Sequence, residues 1–197
     1  MNEAIYDEIA ALQKEIEKKR EEILNLRAKM EPEPVGDYTM KNKDGKDVQL
    51  SSLFDERNEL LVIHNMGKKC RYCTLWADGF NGFALPLADR VPTVVISPDS
   101  PEVQKEFAES RGWTFNMLSA DGSTFIKDMG FEQEPNRYWP GVSAFIRKEG
   151  KIYRVSKDYF GPGDMYCSVW HLFDLLPTKD NGWQPKYKYP QAYPQAT

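Results

Sequence analysis

The 197-residue chain predicts an α/β fold, a central mixed sheet flanked by helices behind a long N-terminal helical extension. Three observations carry that expectation. Short apolar runs such as "ELLVIHNM" and "VPTVVIS" alternate with segments of helical period, the order of a sheet that begins parallel. Two late segments, "GVSAFIR" and "KIYRVSK", flank Glu149 and Gly150 and read as a hairpin that gives the sheet an antiparallel edge. The first thirty residues are charged, free of glycine and proline, and periodic in their apolar positions.

In chain order, Asn2 to Met30 carry Ile5, Ile9, Leu12, Ile16, Ile23, Leu26 and Met30 at alternating spacings of four and three. This spacing predicts a helix of about eight turns whose stripe is broken only at Lys19. The stripe fits packing on the chain's own domain, or a coiled-coil seam that would make a homodimer. Pro32 and Pro34 end it. In "YTMKNKDGKDVQLSSL", residues 38–53, Asp44-Gly45 sits between alternating segments as a hairpin turn. "ELLVIHNM" is a buried strand, residues 71–89 a helix, and "VPTVVIS" a second buried strand. Pro101 to Arg111 is a helix with proline in its first turn, followed by a strand over 114–118 and a short helix near 123–129. After the late hairpin, "DMYCSVWHLFDLL" closes the domain as a helix. The boundaries are therefore a helix over 1–31, a domain over 36–177, and an extended or disordered arm over 178–197.

With 41 % apolar and 13 % aromatic residues the chain can build a core of its own. Its net charge of −4, with acids and bases interleaved, leaves no basic stripe and argues against a nucleic-acid partner. The sequence has no run of eighteen apolar residues and begins acidic, so a soluble, cytoplasmic protein without a membrane partner is expected. Three cysteines are too few for a secreted disulfide framework and cannot all pair.

Two of them stand in "HNMGKKCRYCTLWADGFNG", residues 64–82. Cys70 follows a strand and opens a helix, where unpaired N–H groups and the positive dipole end favour a thiolate. Lys68, Lys69 and Arg71 add positive charge, and cysteines in such surroundings have pKa values of about 3.5 to 7.5. Cys70 is thus the expected attacking thiolate, and Cys73, one turn on, the thiol that resolves a mixed disulfide. Tyr72 between the cysteines and Trp76 beyond them are supporting candidates. Strand, Cys-x-x-Cys and helix in a βαβ context are the conditions for reading the motif as thioredoxin-like. Such a cycle needs no bound cofactor; its partners are a disulfide or small-molecule oxidant and a thiol reductant.

"CRYCTLWADGFNG", "RGWTF", "SADGSTF", "GVSAFIR" and "LFDLLPTKDNGW" resemble a bacterial thioredoxin-like family, domain of unknown function 899, labelled predicted dithiol-disulfide oxidoreductases. The likeness runs over about residues 37–187 and is most specific at "WADGFNG". It implies a thioredoxin-like fold with an N-terminal helical extension and a dithiol at Cys70 and Cys73. Thioredoxins open the strand beside the dithiol with a cis-proline, whereas here Val142-Ser143 stand where valine-proline is expected and Pro140 lies three residues early. Ser143 becomes a supporting candidate, and small disulfides or peroxides are favoured over protein disulfides. The added cations predict a couple more oxidising than thioredoxin's about −270 mV.

Other patterns compete. Cys70, Cys73, Cys167 and His171 form a formal zinc set, which supports the alternative of a non-catalytic protein, zinc-stapled or joined through a coiled coil, on the same scaffold. Cys167, His171 and Asp174 share a helical face as nucleophile, base and orienter would, though helical spacing yields such triplets readily. His64 either tunes the dithiol or lies in the core. Trp76, Phe80, Phe83 and Leu87 follow core spacing, and Asp78 is either solvated or a proton acceptor for Cys73.

Overall fold

A computed structural model describes residues 2–190. The N-terminal helix α1 (Glu3–Arg27) leads into β1 (Glu33–Val35), the hairpin β2 (Thr39–Lys41) and β3 (Asp47–Gln49), and a 3₁₀ turn over Leu50–Phe54. Then follow β4 (Glu59–His64), α2 (Arg71–Gly82), α3 (Ala84–Arg90), β5 (Thr93–Ser97), α4 (Pro101–Arg111), β6 (Asn116–Ser119) and α5 (Phe125–Asp128). A small hairpin of β7 (Glu132–Glu134) and β8 (Arg137–Tyr138) precedes the long hairpin β9 (Gly141–Lys148) and β10 (Lys151–Tyr159), and α6 (Ser168–Phe173) closes the fold.

Eight strands form one sheet in the order β1-β10-β9-β4-β5-β6-β2-β3. Its centre, β4-β5-β6, is parallel, and every other pairing is antiparallel, so both edges are antiparallel rather than one. Alternation along the strands sends side chains to two apolar clusters. Val62, Val94, Phe125, Phe131 and Phe145 belong to one; Ile63, Cys73, Trp76, Val95, Phe160 and Trp170 belong to the other, beneath α2 and α6. α1 stands apart: none of its residues is buried.

Several expected elements differ. The helix over 71–89 is two helices, because Phe83 leaves helical geometry at φ −103°, ψ 8°. Pro86 then falls in the first turn of α3, where its missing N–H needs no intrahelical partner. The closing helix is confined to Ser168–Phe173, since Cys167 is extended (φ −131°, ψ 105°) and the Asp164 carboxylate folds the preceding segment by accepting the N–H groups of Gly161 and Tyr166. The arm from 178 is docked as far as the structure describes it, with Trp183 half-buried and Pro185 buried; residues 191–197 of that expectation lie outside the described residues.

A candidate dithiol site

The strand β4 ends at His64, and six residues, Asn65 to Cys70, turn the chain into α2. Asn65 shapes the turn by accepting the N–H of Gly67 at 2.8 Å and donating from Nδ2 to the Cys73 carbonyl at 3.4 Å. Gly67 has φ +93°, and a Cβ there would sit 2.7 Å from the Asp99 carboxylate. That approach lets Asp99, in the loop after β5, accept the Lys68 N–H at 2.6 Å. Only glycine combines the positive φ with the close carboxylate.

Cys70 is the N-cap of α2, with φ −96°, ψ 106°, and its sulfur accepts the backbone N–H of Cys73 at 3.1 Å. Its carbonyl is held by the N–H and hydroxyl of Thr74. All three cysteines are free. Cys70 is partly exposed and Cys73 buried. The Cys73 thiol, donating to the Cys70 sulfur, together with the amides of Cys73 and Tyr72, outweighs partial burial and brings the Cys70 pKa down to about 7. Burial, reinforced by the Cys70 sulfur beside it, pushes the Cys73 thiol far up. The two thiols are therefore differentiated: one ionises near neutrality, and the other holds its proton.

This corrects the reason given by the sequence. Lys68 and Lys69 are exposed, and the lowering of Cys70 comes from the Cys73 thiol and the helix-start amides, not from lysine charge. Arg71 turns away to donate to the Gln184 side chain at 3.3 Å. Tyr72 and Trp76 wall the site: their rings lie 6.3 Å apart, and the Trp76 indole N–H donates to Asp164 at 3.3 Å.

Ser143 does not stand beside the dithiol. Register pairs His64 with Gly141 and Val62 with Ser143, so the residue that opens β9 at the site is Pro140, which shares a small cavity with Cys73 and Trp76. Every peptide bond among the described residues is trans, Val142–Ser143 included. Ser143 is fully buried, and its hydroxyl lies 2.9 Å from His64 Nε2. His64 stacks on Phe131 at 3.7 Å between ring centres, in the cluster across the sheet from α2. Burial first, then the charges of Arg154 and Lys157, bring its pKa down to about 3. It is a neutral core histidine.

The formal zinc set is not assembled. Cys167 packs in the cluster of Cys73, His171 points back to the Asp164 carbonyl at 3.0 Å, and no three metal-ligating side chains converge among the described residues. The triplet of Cys167, His171 and Asp174 is not assembled either, because Cys167 lies in extended backbone ahead of α6 and the His171 ring is engaged by the Asp164 carbonyl. Asp78 is half-exposed and engaged away from Cys73: its carboxylate accepts from the Arg111 guanidinium and, at 2.8 Å, from the Trp113 indole N–H.

Sequence reasoning missed the other walls. Met66, Cys70, Tyr72, Asp99, Asn136 and Arg137 are among the residues lining an open cleft of about 690 Å³. The docked arm borders the site on the far side: Trp183 packs edge-on against Trp170 and Phe173, and Tyr187 is near enough for the charges of Cys70 and Arg71 to act on it. The only signal for the arm was its aromatic content. The β7–β8 hairpin left no signal, since "EQEPNRY" lacks apolar alternation.

A family model described as bacterial protein of unknown function (DUF899) matches residues 3–192. Among curated proteins none matches the chain. Of solved structures, a peroxiredoxin-like protein from Aquifex aeolicus is similar at TM-score 0.54 and 19 % identity, covering 65 % of this chain and 74 % of that one. Peroxidoxin BcpB from Mycobacterium tuberculosis is similar at TM-score 0.50 and 23 % identity, over 61 % and 80 %. PrxQ from Xylella fastidiosa is similar at TM-score 0.51 and 14 % identity, over 65 % and 84 %. At these identities the likeness is one of fold, and the fold is thioredoxin-like. No helix among the described residues is long and apolar enough to cross a membrane.

Proposed function

Because the chain belongs to the bacterial family of unknown function DUF899 and folds on a thioredoxin-like scaffold, we propose that it is a dithiol-disulfide oxidoreductase worked by Cys70 and Cys73. The observation that carries the reading is the differentiated pair at the start of α2. The Cys70 sulfur receives an amide and a thiol and ionises near pH 7; its neighbour is buried and protonated.

In the cycle, the Cys70 thiolate attacks one sulfur of a disulfide, forms a mixed disulfide and expels the other sulfur as a thiolate, which takes up a proton. The Cys70 sulfur is then neutral, so its share in holding the Cys73 proton is gone, and the expelled thiolate takes that proton. Cys73 ionises, attacks the Cys70 sulfur and releases the second half of the substrate as a thiolate. Two electrons have passed to the substrate, and Cys70–Cys73 has become a disulfide that a thiol reductant reopens. The i to i+3 spacing suits that bond, because disulfides need Cα atoms about 4.4 to 6.8 Å apart.

The peroxidoxin and peroxiredoxin names of the similar structures support a second oxidant. With a hydroperoxide, Cys70 attacks the terminal oxygen, an alcohol or water leaves, and Cys73 converts the resulting sulfenic acid to the same disulfide with loss of water. A thiol near 7 matches thioredoxin's attacking cysteine.

The test is the rate of iodoacetamide labelling of the reduced protein against pH. One fast thiol should appear with a midpoint near 7, vanish in Cys70→Ser and persist in Cys73→Ala with its midpoint moved upward, because the thiol donor has been removed. Equal slow labelling of all three cysteines up to pH 8 or above contradicts the assignment of Cys70 as nucleophile.

A further inference from the structure

We infer that α1 is an interaction surface for a second copy of this chain, the two helices lying side by side and parallel as a two-stranded coiled coil. The inference is independent of the dithiol. It begins from the packing: a 25-residue helix, about 37 Å long, has no buried residue, and the apolar residues of its stripe are 43 % to 68 % exposed. Helices in proteins owe most of their stability to packing of an apolar face, and among the described residues α1 finds no such packing.

The residue types along the stripe name the partner. Ile9, Ile16 and Ile23 occupy one seam position of the seven-residue repeat; Ile5, Leu12 and Leu26 occupy the other, with Lys19 between them. Isoleucine at the first position and leucine at the second is the combination that favours two parallel strands. Lys19 is the one charge in the seam. Its ammonium turns out to Glu22 of its own helix at 2.9 Å, which leaves the aliphatic stem over the seam and fixes the register at a cost in affinity.

The flanks set the direction. One carries Glu8, Glu15 and Glu22; the other carries Gln13, Arg20 and Arg27. In a parallel pair each residue of the first flank meets the residue five positions later on the second, so Glu15 faces the partner's Arg20 in both halves of the dimer. An antiparallel pair sets glutamate against glutamate and arginine against arginine. Arg27 is held by Asp158 of its own chain at 2.6 Å and is not counted.

Sedimentation equilibrium of the full-length protein tests the proposal. The wild type should weigh as a dimer and Ile16→Glu as a monomer. Lys19→Leu should move the monomer–dimer midpoint to about a hundredfold lower concentration, as burial of one leucine from each helix in the seam gives. Glu15→Arg alone should weaken association, and mixing Glu15→Arg with Arg20→Glu chains should restore it as a heterodimer, since both cross pairs then carry opposite charges. Should Ile16→Glu misfold, the tightening by Lys19→Leu decides in the opposite direction. A wild type that is monomeric at every concentration, or a dimer that survives folded Ile16→Glu, overturns the surface. Tighter association of Glu15→Arg on its own overturns the parallel direction.

Discussion

At the scale of single residues, position relative to the sheet decides what a side chain can do. His64 and Cys70 are six residues apart, yet His64 faces the cluster of Phe125 and Phe131 while Cys70 caps the helix on the other face. Burial of His64 has a consequence for stability. Its folded pKa of about 3 lies below the ordinary 6.5, so between these values the unfolded chain binds a proton that the folded chain does not, and stability falls as the pH falls through that window. The slope contributed is at most ~1.4 kcal/mol per pH unit. Urea midpoints measured from pH 7 to 4 should therefore fall less steeply in His64→Gln than in the wild type; equal slopes would mean that His64 is charged in the fold. The sequence left His64 open between core and site because a histidine at a strand end satisfies both. Only the strand alternation that places it beside Val62 rather than Ile63 settles the matter. Ser143 was misread for the same reason: likeness of "GVSAF" to a strand opening does not fix register, and register brings Pro140 to the site.

At the scale of elements, periodic segments were legible and their interruptions were not. The strand before the dithiol and the helix Pro101–Arg111 appear where an apolar run and a proline suited to a first helical turn put them; Ser100 caps that helix and Gly112, in the left-handed region, ends it. The break at Phe83 escaped because apolar spacing continues through it. The edge strand β1 escaped because it is three residues long and contains a proline. The C-terminal arm escaped because it has no repeating pattern; Trp183 and Pro185 hold it through aromatic packing and burial that only the fold creates. Truncation before Trp183 should uncover Trp170 beside the buried Cys73. The expected outcome is a lower thermal midpoint, with a stability loss of about 1.5–3 kcal/mol for one large apolar side chain, and faster alkylation of Cys73 in the folded protein. An unchanged midpoint and unchanged labelling would make the arm a mere appendage.

At the scale of the molecule, the sheet divides labour between its two faces and its ends. One face packs phenylalanines around a neutral histidine, and the other carries the helices that hold the dithiol. The ends of the parallel strands β4 and β5 supply the two loops, Asn65–Lys69 and Pro98–Ser100, whose contact through Gly67 and Asp99 sets the angle at which α2 starts. Both the fold class and the placement of Cys70 and Cys73 at the start of a helix were readable because they rest on local signals, a strand, a Cys-x-x-Cys and a helix in succession. The cleft around Cys70 was not, because β8, the Asp99 loop and the arm reach it from distant parts of the chain. The measurement that bears most directly on the central claim is the mass and thiol count of reduced protein treated with one equivalent of a small oxidant, hydrogen peroxide or a small symmetric disulfide. The account predicts loss of two thiols per chain and a peptide map that joins Cys70 to Cys73 within one chain, with Cys167 still free and the bond absent in Cys70→Ser. An oxidised protein whose Cys70 and Cys73 remain unlinked to one another, or a linkage that involves Cys167 instead, contradicts it.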